Sequence, residues 1–412
     1  MILADFCKTL GFSEDQESIL APFWKEILEN FPGDLAFLDE DFQKKWYPQI
    51  GNDPDFLPEL LQVLPAIRNT PALKLYAWVL YYGLNRKEIL PGLNTLPPPE
   101  KLLGDRAGLF VLAVAIGSFP LIAETHRRLG LPEHYTTDLF NWFAGACRIH
   151  RAGHGGVPGL CLNQYFWVRH YIDGKLFRIG RFEYLIHPVR EFVPAVFRNK
   201  KDGRLAVFAP DGWSFDENGE RAENGVFRTE LIYADNSVTG TPIGPDGKTY
   251  CGQTQTISLE DFEPAVSPWE WVPSIHIPGG GGMSPEKVLD SMKQAKVFFK
   301  KYFKRDIRMF TCSSWILNPD WEKELPDSNM AKFIRLGWNV PAMPWNKAGL
   351  FFVFGKDDVD YDALPQDNAL YRAFCNLHKK GRCLRAGSIF FMTEDLDKLH
   401  DGFYREKGKE IC

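Results

Sequence analysis

Positive charge in excess is the first thing this 412-residue chain lacks: 48 Lys and Arg face 53 Asp and Glu, for a formal net charge of −5. A protein whose main partner is a phosphate backbone carries the opposite balance, so nucleic-acid binding is excluded as the principal role. Short basic runs such as Lys300-Lys301 and Lys379-Lys380 read as solvated faces. A basic, apolar, small-residue leader is not evident, and the eight cysteines fall at irregular spacing. That pattern reads as reduced thiols in a cytoplasm and not as a disulfide framework. Long hydrophobic runs are scarce too. The uncharged stretch Ala107 to Ala123 is at the lower length limit for a membrane span and carries Gly117, Ser118 and Pro120 in its second half. It reads as a buried helix of a helical domain, and no membrane association is expected. Internal repeats and low-complexity tails are not seen.

What is present is an ordinary globular composition, 45% hydrophobic and 25% charged, in a chain long enough for two domains. The first third reads as helix. Ser13 caps a run with apolar residues at Ile19, Leu20, Phe23, Ile27 and Leu28. Asn69-Thr70-Pro71 places a cap and a first-turn proline before Leu75, Trp78, Val79 and Tyr82. A helical domain 1–132 is therefore expected to end near Leu131-Pro132, with a second domain over 133–412. One more helix is expected over Thr137 to Ile149. After it the spacing predicts a hairpin, Tyr165 to Ile172 and Lys175 to Ile186 about an Asp173-Gly174 turn. Asn236 to Thr256 reads as a surface loop or the edge of a meander. Toward the end, Leu350 to Phe354 and Ser388 to Met392 read as buried strands and Asn368 to Lys379 as a helix.

The most telling stretch runs from Trp271 to Pro319. An apolar strand to Ile277 stops at Pro278, and four glycines, Gly279 to Gly282, follow. With Met283 they lead to a helix opened by Ser284-Pro285-Glu286. That helix has an apolar stripe at Val288, Met292, Ala295 and Phe299, with lysines 287, 293, 296, 300 and 301 on its other faces. A second strand follows, Arg308 to Ile316. Strand, glycine turn, helix and strand make a βαβ unit whose two strands should lie parallel and adjacent. Its first turn sets backbone N–H groups and a positive helix end beside the carboxyl ends of two strands, where α/β proteins hold phosphate-bearing ligands.

Glycines in a row fit close approach of a backbone to a ligand, although a flexible turn is the plain alternative. No Gly-Lys-Ser/Thr follows, so this is not a P-loop. The spaced third glycine and later acidic residue of the dinucleotide fingerprint are also missing. His276 ends its strand directly before the turn, where a side chain either faces a site or only supports the turn. Cys312 lies in mid-strand, where a buried inert thiol is the plain reading. Cys147, His150, His154 and Cys161 have spacing reminiscent of zinc, but they sit at a helix end and in a glycine-rich loop without a supporting carboxylate. No metal is expected there.

His276-Ile277-Pro278, the glycine turn, Cys312 to Pro319 (CSSWILNP) and Leu325-Pro326-Asp327-Ser328-Asn329 resemble a family of bacterial N-acyltransferases. These join a helical N-terminal domain to a C-terminal domain like that of the GNAT acetyltransferases. Lys175 to Phe182 (KLFRIGRF) is similar to the same family's hairpin, and the likeness covers the chain from about Thr136 onward. It implies an α/β (α+β) fold, helices followed by a GNAT-like mixed sheet. It also implies transfer of an acyl group from acyl-CoA or acetyl-CoA to an amine of a small-molecule or peptide acceptor. Gly279, Gly280, Gly281, Gly282, Met283 and Ser284 would then hold the pyrophosphate. The usual GNAT signature (Gln or Arg, two residues, then Gly-x-Gly or Gly-x-Ala) is absent, so the glycine run would have to do its work. His276 is the expected base and Cys312 a conceivable covalent relay, with direct transfer the favoured route. Two other functions fit the same residues: a non-catalytic binder of a phosphorylated metabolite or carrier arm, and a thioester hydrolase using Cys312 or Ser314.

Overall fold

The computed structural model describes residues 1–51, 56–189, 194–249 and 252–408. They fall into two compact units, Met1–Phe177 with Phe351–Lys356, and Arg178–Leu350 with the rest of the chain from Asp357.

The first unit is built of helices, and its local signals are those read from the sequence. Ser13 and Gln16 form a reciprocal capping box at the helix Glu14–Leu20. Pro22 then tightens the chain into a 3-10 turn, Ala21–Phe23, before the helix Trp24–Glu29. Pro71 opens the helix Pro71–Asn85 as expected, but Thr70 at its cap position makes no side-chain capping bond. Every residue of the helix Ala107–Gly117 is buried. By length and composition the stretch Glu100–Arg128 could cross a membrane, yet 78% of its most apolar window lies inside the unit. Gly108 lets that helix meet its neighbour, since a Cβ there would lie 2.2 Å from His150 Nε2. Residue 132 falls between the helices Phe119–Arg128 and Glu133–Gly153.

The expected hairpin is displaced. Tyr165 to Ile172 forms two short helices, Leu162–Tyr165 and Val168–Ile172, because Tyr165, Val168 and Tyr171 are buried three residues apart, a helical interval. Asp173-Gly174 follows the second helix. The hairpin itself lies beyond, β1 (Leu176–Ile179) and β2 (Phe182–Leu185), turning at Gly180-Arg181 with Gly180 at φ 58°.

Small sheets follow in the second unit. Strands β3 (Ala195–Asn199), β4 (Leu205–Phe208) and β10 (Phe262–Pro264) form one three-stranded sheet in the order β10-β3-β4. Strands β5 (Ser214–Phe215) and β6 (Phe227–Arg228) pair with each other, and β7 (Leu231–Ala234), β8 (Ser237–Gly240) and β9 (Gln255–Ser258) form a meander. The segment 236–256 thus contains β8 and the start of β9, as the meander reading had it. Phe197, Phe208, Val238, Ile257 and Phe262 make a core shared by the two three-stranded sheets.

The main sheet is six-stranded, in the order β1-β2-β11-β12-β14-β13, with β11 (Ser274–His276), β12 (Met309–Ser314), β13 (Trp338–Pro344) and β14 (Arg385–Met392). As expected, β11 and β12 are parallel neighbours, and the crossover between them is the helix Pro285–Phe303. The remaining pairings for which a register is defined are antiparallel. Strand β13 escaped sequence reading because Pro341 and Pro344 interrupt it. It lies at the sheet edge with a register shift between Val340 and Met343, where proline is tolerated. Leu350–Phe354, expected as a strand, is a short helix that buries Leu350 and Phe354 four residues apart. Periodicity alone cannot sort so short an apolar run.

Candidate active site

The crossover helix packs by the stripe that its sequence shows. Val288, Met292, Ala295 and Phe299 are buried and the lysines exposed. Ser291, on the same face, is fully buried. Its hydroxyl donates to the Ile179 carbonyl (2.6 Å), accepts from the Phe182 N–H (3.3 Å) and bonds the Tyr184 hydroxyl (2.9 Å). The β1–β2 turn is thereby fixed against the helix.

Strand β11 carries the two sides of the sheet in alternation. Ile275 stands opposite Tyr184 on β2 and beside Cys312 on β12, on the face covered by the crossover helix, where Tyr184 meets Phe299 at 6.3 Å between ring centroids. His276 is opposite Glu183 on the other face. Ser313 shares that face and pairs with Ser388 of β14, their hydroxyls 2.7 Å apart. This second face therefore collects Glu183, which is buried, with His276, Ser313 and Ser388 near the carboxyl ends of β11 and β12.

Only Ser274 with Thr311 and Ile275 with Cys312 are in register between these two parallel strands. Beyond that point β11 gives way to Pro278 and the glycines, while β12 continues along β14 to Ser314. The paired register between the strands ends here. Main-chain groups on facing edges past the end of a ladder are left for a ligand to meet.

The glycine turn follows this point. Gly280, Gly281 and Gly282 have φ of 80°, 76° and 68°, conformations that side-chain-bearing residues rarely adopt. Gly279 has an ordinary φ and open space where a Cβ would be. Met283 is buried and anchors the far end of the turn. Two cations hold its carbonyls: Arg181 Nε donates to Gly282, and Lys287 Nζ to Gly281 at 2.9 Å. Burial and the nearby Arg178 push the Arg181 guanidinium down to about 10. Among the described residues its Nη1 is buried with no hydrogen-bond acceptor. A guanidinium donor without an acceptor and a lysine at a glycine turn fit an anionic group such as a pyrophosphate.

The helix end itself differs from expectation. Ser284 stands at the cap position without a side-chain capping bond. Instead its hydroxyl and the Glu286 backbone N–H hold the Glu286 carboxyl below the usual carboxylate range. An acidic side chain already faces the positive end of this helix, so anion affinity here falls to Arg181 and Lys287 more than to the helix dipole.

Cys312 faces the covered side. It is fully buried, and burial pushes its thiol up, away from thiolate. Ser314 accepts from the Ile316 N–H at 3.2 Å and caps the turn Trp315–Leu317. Neither position presents an activated nucleophile. In the first unit, His150 Nδ1 bonds the Val157 carbonyl (3.1 Å), His154 Nδ1 bonds the His150 carbonyl (2.8 Å), and the rings stack at 4.0 Å. Among the described residues no group of three or more His, Cys, Asp and Glu is placed to hold a metal ion. The six described cysteines are free thiols.

Sequence reading missed Arg181, Glu183, Ser291 and the Ser313–Ser388 pair. Glu183 left one faint signal, a carboxylate inside the apolar run Phe182-Glu183-Tyr184-Leu185.

Residues 176–390, a little over half of the chain, match the family model of the GNAT-like C-terminal domain. The chain belongs to this family. Solved structures agree on the fold. An acyltransferase in complex with decanoyl-CoA and teicoplanin aligns with a TM-score of 0.64 at 20% identity, covering 95% of this chain and 99% of that one. An acyltransferase mutant in complex with octanoyl-CoA gives 0.64 at 19% identity over the same shares. No curated protein matches the sequence. The GNAT-like family and the helical first unit are what the sequence resemblance implied.

Proposed function

We propose that this protein is an acyl-CoA-dependent N-acyltransferase that moves an acyl group directly to an amine. The observation that carries the reading is the end of the β11–β12 ladder at Ile275 and Cys312, followed at once by His276 and by the glycine turn, bracketed by Arg181 and Lys287. Acyl-CoA or acetyl-CoA is the co-substrate, its pyrophosphate against Arg181, Lys287 and the stretch Gly279 to Ser284. Structurally similar acyltransferases in complex with decanoyl-CoA and octanoyl-CoA support this choice of donor. The one in complex with teicoplanin supports an amine on a peptide-like small molecule as acceptor. Free thiols support a reducing cytoplasm as the compartment.

The chemistry has three demands. The amine must lose a proton, the thioester oxygen must meet donors as it becomes an oxyanion, and the CoA thiolate must gain a proton. His276 is the base for the first, an imidazole able to take up the amine proton. Main-chain N–H groups at the end of the β11–β12 ladder serve the second. The protonated imidazole can return its proton to the leaving thiolate. With its thiol buried, Cys312 takes no part in this route.

Release of free CoA from decanoyl-CoA and acetyl-CoA, measured with and without a panel of peptide and amino-sugar amines, tests the proposal. Amine-dependent release is expected. Release without amine would make the protein a thioester hydrolase, and binding without release a non-catalytic module. His276→Ala is expected to lower the single-turnover rate by about ten-fold or more with CoA affinity retained. A loss of affinity at unchanged rate would make His276 a support of the turn.

A further inference from the structure

Past the end of β12 the sheet carries a second group of charges. Arg385 opens β14, two residues before Gly387, which pairs with Ser314 at the end of β12. It is buried, and Nη2 pairs with Glu220 at 2.9 Å. Nη1 donates to the carbonyls of Arg221 (3.1 Å) and Ala342 (3.2 Å). Arg382 completes the network, meeting Glu220 at 3.2 Å and Asp320 at 3.0 Å. Two arginines thus engage both carboxylates, and a third arginine, Arg221, is left over.

The Arg221 guanidinium carbon stands 3.7 Å from the centroid of the Trp213 ring. A guanidinium stacked in this way spends one face on the ring and keeps its N–H edge for a partner. The main chain beneath it is fixed. Arg385 holds the Arg221 carbonyl, the Ala222 N–H donates to the Ser214 carbonyl (3.1 Å), and the Trp213 N–H donates to the Thr229 hydroxyl (2.9 Å). Among the described residues no carboxylate or other acceptor meets the Arg221 side chain. Burial pushes its guanidinium down to about 10, whereas Asp320 and Glu220 raise that of Arg382. A half-buried, pre-set cation without a counter-ion suits a planar anion. At the same corner Met343 and Trp345 are 42% and 49% exposed, on either side of Pro344, which pairs with Arg385.

We infer that Arg221 binds a carboxylate of the acceptor, which makes the acceptor a peptide-like amine with a free acid group. This rests on the reading of the β12 end as the acyl-transfer site. The carboxylate takes two N–H bonds from the guanidinium edge. Arg385, which holds Arg221, lies three residues from Ser388, about 10 Å along the strand. Acid and reacting amine therefore belong to different units of one extended molecule, and Met343 and Trp345 offer apolar surface to the stretch between. A phosphate of CoA has related chemistry, and the test separates the two sources.

Triglycine and triglycine amide are the probes, since they differ only in the acid. In full-length protein with labelled arginines, the Arg221 Nε–H resonance is assigned by its loss in Arg221→Gln. It is expected to move on titration with triglycine and to stay in place with the amide. Movement with neither probe, or equally with both, overturns the inference. Among peptide amines that support CoA release, wild type is expected to favour the free acid over its amide by about ten-fold or more in kcat/KM. Arg221→Gln should erase that preference through KM with kcat retained, and Arg221→Lys should restore part of it. Equal losses for acid and amide would make Arg221 a support of the Trp213 strand and overturn the inference. Calorimetry with CoA should give the same affinity for wild type and Arg221→Gln. A ten-fold loss there would assign the guanidinium to a CoA phosphate and overturn it too. If no amine releases CoA but triglycine still moves the Arg221 resonance, acyl transfer falls and the carboxylate site stands.

Discussion

Gly180 lies directly over Ser291: a Cβ built on the glycine would stand 3.3 Å from both the Cα and Cβ of the serine. The hairpin turn can sit this close only because Gly180 has no side chain and because φ 58° suits it. The contact lets one serine hydroxyl serve three groups of β1 and β2. Ser291→Ala leaves the Phe182 N–H, the Tyr184 hydroxyl and the Ile179 carbonyl short of a partner. We expect a loss of about 2–3 kcal/mol in stability, read as a lowered midpoint in denaturant. A change within 0.5 kcal/mol, on the order of a neutral surface substitution, would contradict the assigned role.

The glycine turn gives a paired test of CoA binding. Gly281→Val forces a β-branched residue to φ 76°, whereas Gly279→Ala meets open space at ordinary φ. Calorimetry with CoA should show affinity lost in the first, by about ten-fold or more for about 1.4 kcal/mol of disrupted contact, and kept in the second. Equal affinities for both variants would remove the turn from the binding site.

Alanine at Cys312 should preserve catalysis. The thiol is buried on the helix-covered face and pushed up by burial, so we expect Cys312→Ala to keep kcat within about three-fold and cost about 1 kcal/mol of stability from the small void. Native protein treated with iodoacetamide should stay unmodified at this position, as mass spectrometry of its peptides would show. A fall in kcat beyond about a hundred-fold would return the covalent relay to consideration.

Acid should weaken the first unit through its histidines before most carboxylates titrate. Burial pushes His126 down to about 4, and burial with the neighbouring His154 does the same to His150. In the unfolded chain both take up a proton near their ordinary value of about 6.5. The native state binds fewer protons in between, so stability is complete above about pH 6.5 and declines as pH falls toward 4. For the almost wholly buried His126 this amounts to roughly 2–3 kcal/mol. His126→Asn should flatten the pH dependence of thermal unfolding in that window. An unchanged slope would refute the linkage.

Sequence legibility followed the range of the interaction. The crossover helix, its stripe and the parallel strands on either side were readable because each is specified by residues within one local period. Capping at Ser13 was readable for the same reason. The hairpin was misplaced because the run Tyr165 to Ile172 is aromatic and apolar apart from Arg169 and His170, and only burial of Tyr165, Val168 and Tyr171 shows which period governs. The candidate site was half legible. His276 and the glycines announce themselves in one segment, but Glu183 joins them from more than ninety residues away, through a register that no local pattern encodes. Arg181 was hidden likewise, since its partner is the carbonyl of Gly282.

The narrow pairing of β11 with β12 also has a mechanical meaning. Strands β1, β2 and β11 form one leaf, β12, β14 and β13 another, and two residue pairs make the seam between them. The crossover helix spans the seam as a brace, gripping the first leaf through Ser291 and through Phe299 against Tyr184, which in turn meets Phe310 of the second leaf at 5.3 Å. Under tension applied across the sheet, the seam is where the unit would yield first. The long ladder between β12 and β14 would hold, and the brace would set the force required.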